Sequence, residues 1–140
     1  MKPLVILVTG SRDYTDRAFV YAALGRAREF YSDRRIIVRH GLAKGADTLA
    51  SDWVQSIGNH RLVDEDPHDP NDHGPWPAAG MIRNAHMIRL EPRPDWCLGF
   101  VNRCRRPQCK NRQLHGSHGA EGCLEMAERA QIPFKAWRTF

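Results

Sequence analysis

Apolar residues occur along the chain in two alternating patterns. Short runs rich in β-branched side chains predict strands at residues 4–9, 35–40, 60–63, 96–101 and 132–137. Segments in which apolar residues recur every three to four positions predict helices after Asp16 and Asp47 and over residues 76–90 and 119–131. The face of the first helix predicted to pack on the sheet consists of Val20, Ala23, Leu24, Ala27 and Phe30. The alternation predicts a single α/β domain, residues 1–140: a Rossmann-like three-layer sandwich around a mostly parallel five-stranded sheet in the order 3-2-1-4-5.

Two of the predicted strands run directly into glycine-containing turns that precede helices. The first ends at Gly10-Ser11-Arg12, and the second is followed by a turn that contains Gly41, Lys44, Gly45 and Asp47. In a parallel sheet both turns lie at the carboxyl edge, where ligands bind, and a helix N-terminus there attracts an anion. Ser11 and Arg12 add a hydroxyl and a guanidinium group. Asp47 either caps the second helix, the commoner role, or accepts hydrogen bonds from ribose hydroxyls.

Residues 64–75 are acidic, rich in proline and followed by the third predicted helix. Two histidines and two aspartates in this segment could ligate a metal ion: His68, Asp69, Asp72 and His73. The prolines and the acidic composition instead favour a solvated loop.

Charge and cysteine content change the picture in the second half of the chain. The net charge of +5 is divided unevenly, because residues 1–80 carry −1 and residues 81–140 carry +6, with the densest positive charge over residues 103–112. This charge attracts phosphates, whether of a free nucleotide or of a nucleic acid. The N-terminal apolar run is too short for a membrane span and no signal-peptide pattern follows it, so we expect a cytoplasmic protein with no membrane partner and with reduced cysteines.

Residues 102–118 fit neither a helix nor a strand pattern, and a loop of this length needs a reason to be ordered. It contains Cys104, Cys109, His115 and His118, a set that suits tetrahedral zinc although its spacing is not that of a zinc finger. The alternative is a basic, solvated loop whose cysteines are incidental. The remaining cysteines, Cys97 and Cys123, are predicted to be buried as small apolar side chains.

Four segments together resemble a known family. The sequences VTGSRDYTD, HGLAKGADTLASDW, AAGMIRNAHM and HGSHGAEGCLEMAERAQIPF occur in the order and spacing of the SLOG superfamily, specifically of its cpYpsA-related, YspA-like branch of small bacterial and phage proteins. The resemblance covers nearly the whole chain. It implies a Rossmann-like fold that binds nucleotides or nucleotide-derived ligands, and a distant relationship to the lonely-guy phosphoribohydrolases and to DNA-processing proteins.

The resemblance also assigns residues. Arg83-Asn84 occupies the place of an Arg-Lys pair whose arginine is catalytic in the phosphoribohydrolases, and Gly116, Ser117 and Gly119 belong to the turn that holds phosphate there. The catalytic glutamate of those enzymes corresponds to Cys123. The nearest acids, Glu121 and Glu125, are each displaced by two positions, about 200° around a helix. Cleavage of a glycosidic bond needs a carboxylate, so the departure favours ligand binding over catalysis.

We therefore expect a protein that binds a phosphate-bearing nucleotide or nucleotide derivative at the carboxyl edge of the sheet, as a sensor or a ligand-sequestering protein. One alternative is a nucleoside monophosphate phosphoribohydrolase that uses Arg83 with Glu121 or Glu125. The other is a nucleic-acid-binding protein that uses residues 103–112, a run with no aromatic side chain for base stacking. The sequence is compatible with a homo-oligomer and leaves the identity of the ligand open.

Overall fold

The computed structural model describes residues 2–57 and 62–140. The strands are β1 (Leu4–Gly10), β2 (Ile36–His40), β3 (Val63–Pro67), β4 (Trp96–Val101) and β5 (Phe134–Arg138). The helices are α1 (Arg17–Phe30), α2 (Ala46–Ile57), α3 (Ala79–Arg89) and α4 (His118–Arg129), with a short 3₁₀ helix at Pro70–His73. All four strand pairings are parallel and the order is β3-β2-β1-β4-β5, which confirms the predicted α/β Rossmann-like fold.

The central strand β1 supplies both faces of the sheet with apolar side chains. Leu4, Ile6 and Val8 pack in a core cluster with residues of α1 and α2, whereas Leu7 belongs to a second cluster with residues of α3 and α4. Successive strand residues point to opposite faces, so a continuous apolar run is the pattern required of a strand covered on both sides. The three layers thereby place the carboxyl ends of β1, β2 and β4 at one edge.

The third strand differs from the prediction. It was predicted at residues 60–63, but β3 spans Val63–Pro67, and residues 58–61 lie outside the described part of the chain. Its acidic side chains pair with basic residues of the neighbouring strand: Asp66 Oδ2 accepts from Arg39 Nε at 2.8 Å, and Glu65 Oε1 lies 2.6 Å from His40 Nε2. An edge strand held by charges lacks the apolar signature on which the prediction relied.

Two helices also differ in detail. Phe30 was predicted to face the sheet but is 81% exposed, because it lies at the margin of the stripe formed by Val20 and Leu24. Helix α3 begins at Ala79 rather than at residue 76, since Pro77 disfavours a helical conformation at the residue before it. The described part of the chain, residues 2–57 and 62–140, contains no helix long and apolar enough to cross a membrane.

Candidate functional site

The turn after β1 is tied to the end of β4 and to the start of α4. Ser11 N donates to Phe100 O at 3.0 Å, and Asn102 N donates to Ser11 Oγ at 2.8 Å. The hydroxyls of Ser11 and Ser117 lie 2.6 Å apart, within hydrogen-bonding distance. Segments more than a hundred positions apart in sequence therefore meet at one point on the carboxyl edge of the sheet.

Ser117 is the N-cap residue of α4, but its side chain makes no capping hydrogen bond to its own helix. The first N–H groups of a helix have no partners within the helix, and the helix dipole makes this end attractive to anions. Gly119, in the first turn, is exposed, and a Cβ added there would meet no atom within 4 Å. Packing therefore does not require a glycine at this position, and the backbone of the first turn is open to a ligand.

Other glycines of the predicted site serve the contact between the turns themselves. A Cβ on Gly10 would lie 2.3 Å from Ala46 Cβ, and a Cβ on Gly45 would lie 2.2 Å from Ser11 O. Gly45 also has a φ of +81°, which favours glycine. The structure thus brings the turns after β1 and β2 into direct backbone contact, as their common position at the sheet edge predicts.

Asp47 lies within α2, second in the helix, and its carboxylate binds the loop that precedes the helix. It is buried in the first turn of α2, and its Oδ2 accepts hydrogen bonds from Gly41 N at 2.9 Å and Ala43 N at 3.3 Å, in the loop that precedes the helix. Burial raises the pKa of Asp47, against the opposing effects of His40, of these amides and of Arg83. The carboxylate fixes the shape of the loop and is not directed toward solvent.

Arg83 is largely engaged within the protein. The side chain is buried, Nη1 donates to Gly41 O at 2.7 Å, and Nε and Nη2 donate to Asn84 Oδ1 at 3.1 and 3.0 Å. A Cβ on Gly41 would lie 2.5 Å from Arg83 Cζ, so the glycine makes room for the guanidinium group. Burial lowers the pKa of Arg83, and the nearby carboxylate of Asp47 opposes this effect. The pair 83–84 therefore supports the loop after β2 and carries a buried positive charge.

Arg12 is the exposed cation of the site. Its Cζ lies 5.5 Å from the centroid of the Trp76 ring, and its N–H groups make no hydrogen bond or ion pair with residues 2–57 or 62–140. Burial is the main cause of the lowered pKa of Arg83, and the positive charge of Arg12 lowers this pKa further. The two guanidinium groups therefore repel each other at this edge. Lys44 is also exposed on the adjoining loop.

Glu121, in the first turn of α4, lies against Gly116, and both acids near Cys123 pair with arginines. Glu121 accepts two hydrogen bonds from Arg138, at 2.6 Å and 2.9 Å, and this pairing lowers the pKa of its carboxyl group. Glu125 pairs with Arg129 at 3.0 Å and is exposed. Cys123, at the position that corresponds to the catalytic glutamate, is fully buried in the core, as is Cys97.

The long loop brings the four predicted metal ligands together. One ligand atom from each of Cys104, Cys109, His115 and His118 lies within 4.8 Å of the others. Cys109 Sγ is 3.4 Å from His115 Nε2 and 3.4 Å from His118 Nε2. Zn–S bonds of about 2.3 Å and Zn–N bonds of about 2.0–2.1 Å require tetrahedral ligand atoms to lie roughly 3.3–3.8 Å apart. The donor set and these two separations are therefore those of a group that could hold a metal ion.

Hydrogen bonds around the cluster support this arrangement. The ends of the loop are pinned by Cys104 N, which donates to His115 O at 2.7 Å, and by Ser117 N, which donates to Asn102 O at 3.0 Å. His115 Nδ1 lies 2.9 Å from Gly116 O, and donation to that carbonyl leaves Nε2 free to coordinate. A hydrogen bond with the Asn111 backbone, followed by one with His118, lowers the pKa of Cys109 to about 7. The thiolate form that a metal needs is therefore accessible near neutral pH.

The four residues considered for a metal between β3 and α3 do not assemble in this way. Asp69 Oδ1 accepts from Asn71 N and caps the 3₁₀ helix, while His68 pairs with Asp66 at 3.0 Å. The ring of His73 contacts that of His86. Among residues 2–57 and 62–140, the Cys104–His118 cluster is the only group of three or more ligands close enough to share an ion.

The basic segment forms the wall of a surface cavity of about 380 Å³ beside the metal-ligand cluster. Its exposed cations are Arg103, Arg105, Arg106, Lys110 and Arg112. Arg105 approaches Asp13 at 3.6 Å and Arg106 approaches His118 at 3.5 Å, whereas Arg103, Lys110 and Arg112 form no ion pair with the described residues. The segment is a concentration of unneutralised positive charge.

Sequence reasoning missed Trp76 as a site residue, since the periodic pattern placed it inside a helix. The structure leaves it 52% exposed beside Arg12, and the available signal was a large aromatic residue in an otherwise polar, proline-rich segment. Asn102 was missed as well: besides its contacts with Ser11, its Nδ2 donates to Asp13 Oδ1 at 3.0 Å.

Comparisons with known proteins agree with this architecture. The family model for the YspA, cpYpsA-related SLOG family matches residues 4–70, which span β1 to β3 and include the turns after β1 and β2. The chain is 32% identical over 130 residues to the Gene 61 protein of Mycobacterium phage D29, and the match covers 91% of each chain. No solved structure matches the chain significantly. The near-complete coverage of this relative, together with the family match, shows that the chain belongs to the YspA, cpYpsA-related SLOG family.

Proposed function

We propose that the protein binds a phosphate-bearing nucleotide or nucleotide-derived ligand at the carboxyl edge of its sheet. The observation that carries the proposal is the 2.6 Å contact between Ser11 and Ser117, which puts the turn after β1 against the N-terminus of α4. Arg12, an exposed guanidinium group without an ionic partner in the described part of the chain, follows Ser11 directly. Open helix amides and an unpaired arginine are complementary to a phosphate.

The residues of the edge have two different roles, contact with the phosphate and support of the loops. Arg12 and the first turn of α4 contact the phosphate, and Lys44 adds charge from the adjoining loop. Arg83 and Asp47 do not contact the phosphate through their engaged atoms, since Arg83 holds the loop after β2 against α3 and Asp47 holds the same loop to the start of α2. The buried charge of Arg83 still contributes a positive potential, because a charge in a low-dielectric interior is poorly screened.

Binding without hydrolysis is supported by the positions of the two acids. Glu121 makes two hydrogen bonds with Arg138 and Glu125 pairs with Arg129, so both carboxylates have partners other than Arg83. A glycosidase needs a carboxylate at the bond that it breaks. We therefore favour a sensor or ligand-sequestering role over a nucleoside monophosphate phosphoribohydrolase.

The test is calorimetry with a nucleoside monophosphate, its nucleoside and ribose 5-phosphate. We expect AMP to bind and adenosine to bind much more weakly, because the phosphate supplies the charge-assisted contacts. Arg12→Ala should weaken AMP binding by about 1.5–3 kcal/mol, the usual contribution of a hydrogen bond to a charged group. Arg26→Ala, which removes an exposed arginine of α1, is the matched control and should have no effect. Equal affinity for AMP and adenosine would refute the phosphate site.

We further propose that Cys104, Cys109, His115 and His118 hold a structural zinc ion. The 3.4 Å separations between Cys109 Sγ and the two Nε2 atoms match those of ligands around a tetrahedral ion. All four cysteines are free thiols, the state expected in a reducing cytoplasm, where we place the protein. Zinc would order a loop that has little apolar material of its own.

Elemental analysis of protein purified without added metal tests this proposal. We expect near-stoichiometric zinc, lost in Cys104→Ser and Cys109→Ser but retained in Cys123→Ala, which changes a buried thiol outside the cluster. Metal-free protein in which the thiols of Cys104 and Cys109 react freely while the loop stays ordered would refute it.

A second candidate function is nucleic-acid binding through the segment 103–112, favoured by the unneutralised charge of Arg103, Lys110 and Arg112 beside the 380 Å³ cavity. Its mark would be an affinity for single-stranded DNA that falls steeply with salt concentration. Replacing these three cations with glutamine should abolish such binding and leave AMP binding intact. An affinity for DNA that persists in the triple variant would place the contact elsewhere.

A further inference from the structure

We propose that Trp76 is the platform on which the nucleobase of the ligand stacks. The inference rests on the proposed phosphate site and adds the part of the ligand that phosphate contacts leave undefined. Trp76 lies in the turn before α3, with about half of its surface exposed beside Arg12. An exposed indole next to the main phosphate-binding cation is suited to the flat, apolar face of a base.

The ring is held in place. Its Nε1 donates to Asn71 Oδ1 at 3.3 Å, which fixes one edge. Atoms of the six-membered ring lie 3.8 and 3.9 Å from the position that a Cβ on Gly80 would occupy, so the indole rests on the first turn of α3. A platform whose orientation is already set loses little entropy when a ligand stacks on it.

Arg12 occupies the place that the base would take. Its guanidinium group lies over the Trp76 ring, where a cation is attracted to the π face, and it makes no other polar contact with the described residues. Binding then consists of an exchange: the base replaces the guanidinium group on the ring, and Arg12 turns to the phosphate. The exchange links recognition of the two ends of the ligand, because one residue serves both.

The nature of the contact sets the class of ligand. Stacking uses the π face that every base has, and so it tolerates different bases. Ser11 and Arg12 lie at the end of β1, so the phosphate and the base are recognised on the same side of the sheet edge. The ligand class is therefore a nucleotide or nucleotide derivative with its base intact, in contrast to a base-free sugar phosphate.

The experiment compares AMP with ribose 5-phosphate on the wild-type protein, Trp76→Ala and Trp76→Phe. We expect Trp76→Ala to weaken AMP binding by about 5- to 150-fold, the range typical of one base–aromatic stack, and to leave ribose 5-phosphate binding unchanged. Trp76→Phe should retain most of the affinity for AMP, since it keeps an aromatic face. Phe30→Ala, which removes an exposed aromatic side chain at the far end of α1, is the control and should bind AMP as the wild type does.

Fluorescence adds a second readout. The chain has four tryptophans, so a change in emission on adding AMP is assigned to position 76 if it disappears in Trp76→Phe. Unchanged AMP affinity in Trp76→Ala would overturn the platform and leave the phosphate site standing. An equal loss for AMP and ribose 5-phosphate would also overturn it, because Trp76 would then act only by positioning Arg12. If neither ligand binds the wild-type protein, the proposed function fails and the platform with it.

Discussion

Arg39 should be among the most costly side chains to remove, and the structure predicts by how much. It is 1% exposed in β2, and its guanidinium group makes four hydrogen bonds. Nε donates to Asp66 at 2.8 Å, and the terminal nitrogens donate to the carbonyl oxygens of Met87, Leu90 and Pro92 at 2.8–3.1 Å. These bonds join the sheet to the C-terminal end of α3.

Replacing Arg39 with methionine keeps much of the apolar stem but leaves the partly buried Asp66 carboxylate with only His68 as a partner and removes the donor to three carbonyls. Removing one partner of a buried ion pair typically costs about 3–5 kcal/mol, so we expect the free energy of unfolding to fall by this amount in Arg39→Met. The neighbouring pair, Arg35 with Asp64, provides the matched control. Both of its side chains are more than 40% exposed, so Arg35→Met should cost less than about 1 kcal/mol.

Urea denaturation of both variants measures the difference. The double variant Arg39→Met/Asp66→Leu should recover part of the loss, since it also removes the partly buried carboxylate that has lost its arginine. If Arg39→Met is as stable as Arg35→Met, the guanidinium network does not hold α3 to the sheet. That result would also weaken the argument that α3 positions Arg83 at the site.

The remaining predictions concern catalysis, pH and metal. Incubation with AMP should release no adenine, and release that is abolished by Glu121→Gln or Glu125→Gln would restore the hydrolase. Arg138 lowers the pKa of Glu121, so the pair stabilises the folded state above the pKa of a free glutamate, near 4.3, and this contribution is lost as the pH falls through the lower folded-state value. Urea titrations should accordingly show a flatter acid limb in Glu121→Gln. Chelation should weaken AMP binding, because His118 begins α4 next to Ser117, and the helix content measured by circular dichroism should change little. Unchanged affinity for AMP after metal removal would show that the cluster and the phosphate turn are independent.

The sequence predicted most of the strands, because β-branched runs and glycine turns are local features of a buried parallel sheet, and the alternation of strands with helices predicted their order. The prediction misplaced β3 because this strand lacks the local apolar pattern of the others. Residues 64–66 have acidic side chains, a composition typical of a loop. Basic residues opposite them in β2 make the strand conformation favourable. Pairing across strands is not a local property, so a reading based on periodicity could not detect it.

The candidate site was likewise predicted only in part. The glycine turns and the four metal ligands were identified by residue type and spacing, and the Arg83-Asn84 pair by the family resemblance, and the structure brings the members of each group together. What the sequence could not show is which polar groups are already engaged. From the sequence, Asp47 was a candidate for a helix cap or a ribose contact. In the structure its carboxylate accepts a hydrogen bond from Gly41 N, six positions earlier, and this contact depends on the path of the loop between them.

At the carboxyl edge, polar groups that already have partners within the protein support the fold, whereas groups without such partners form the proposed binding surface. Asp47, Arg83 and Glu121 have the chemistry of an active site, but their polar atoms are held by partners within the protein. Arg12 has no hydrogen-bond or ionic partner in the described part of the chain and lies beside the exposed ring of Trp76, and Ser117 makes no side-chain capping bond at the start of α4. A catalytic site requires a free acid or base beside the reacting bond, whereas a binding site requires only complementary charge and surface. The Arg12 guanidinium group, the first turn of α4 and the Trp76 ring offer positive charge, backbone amides and an aromatic surface, which suit the nucleotide binding that we propose.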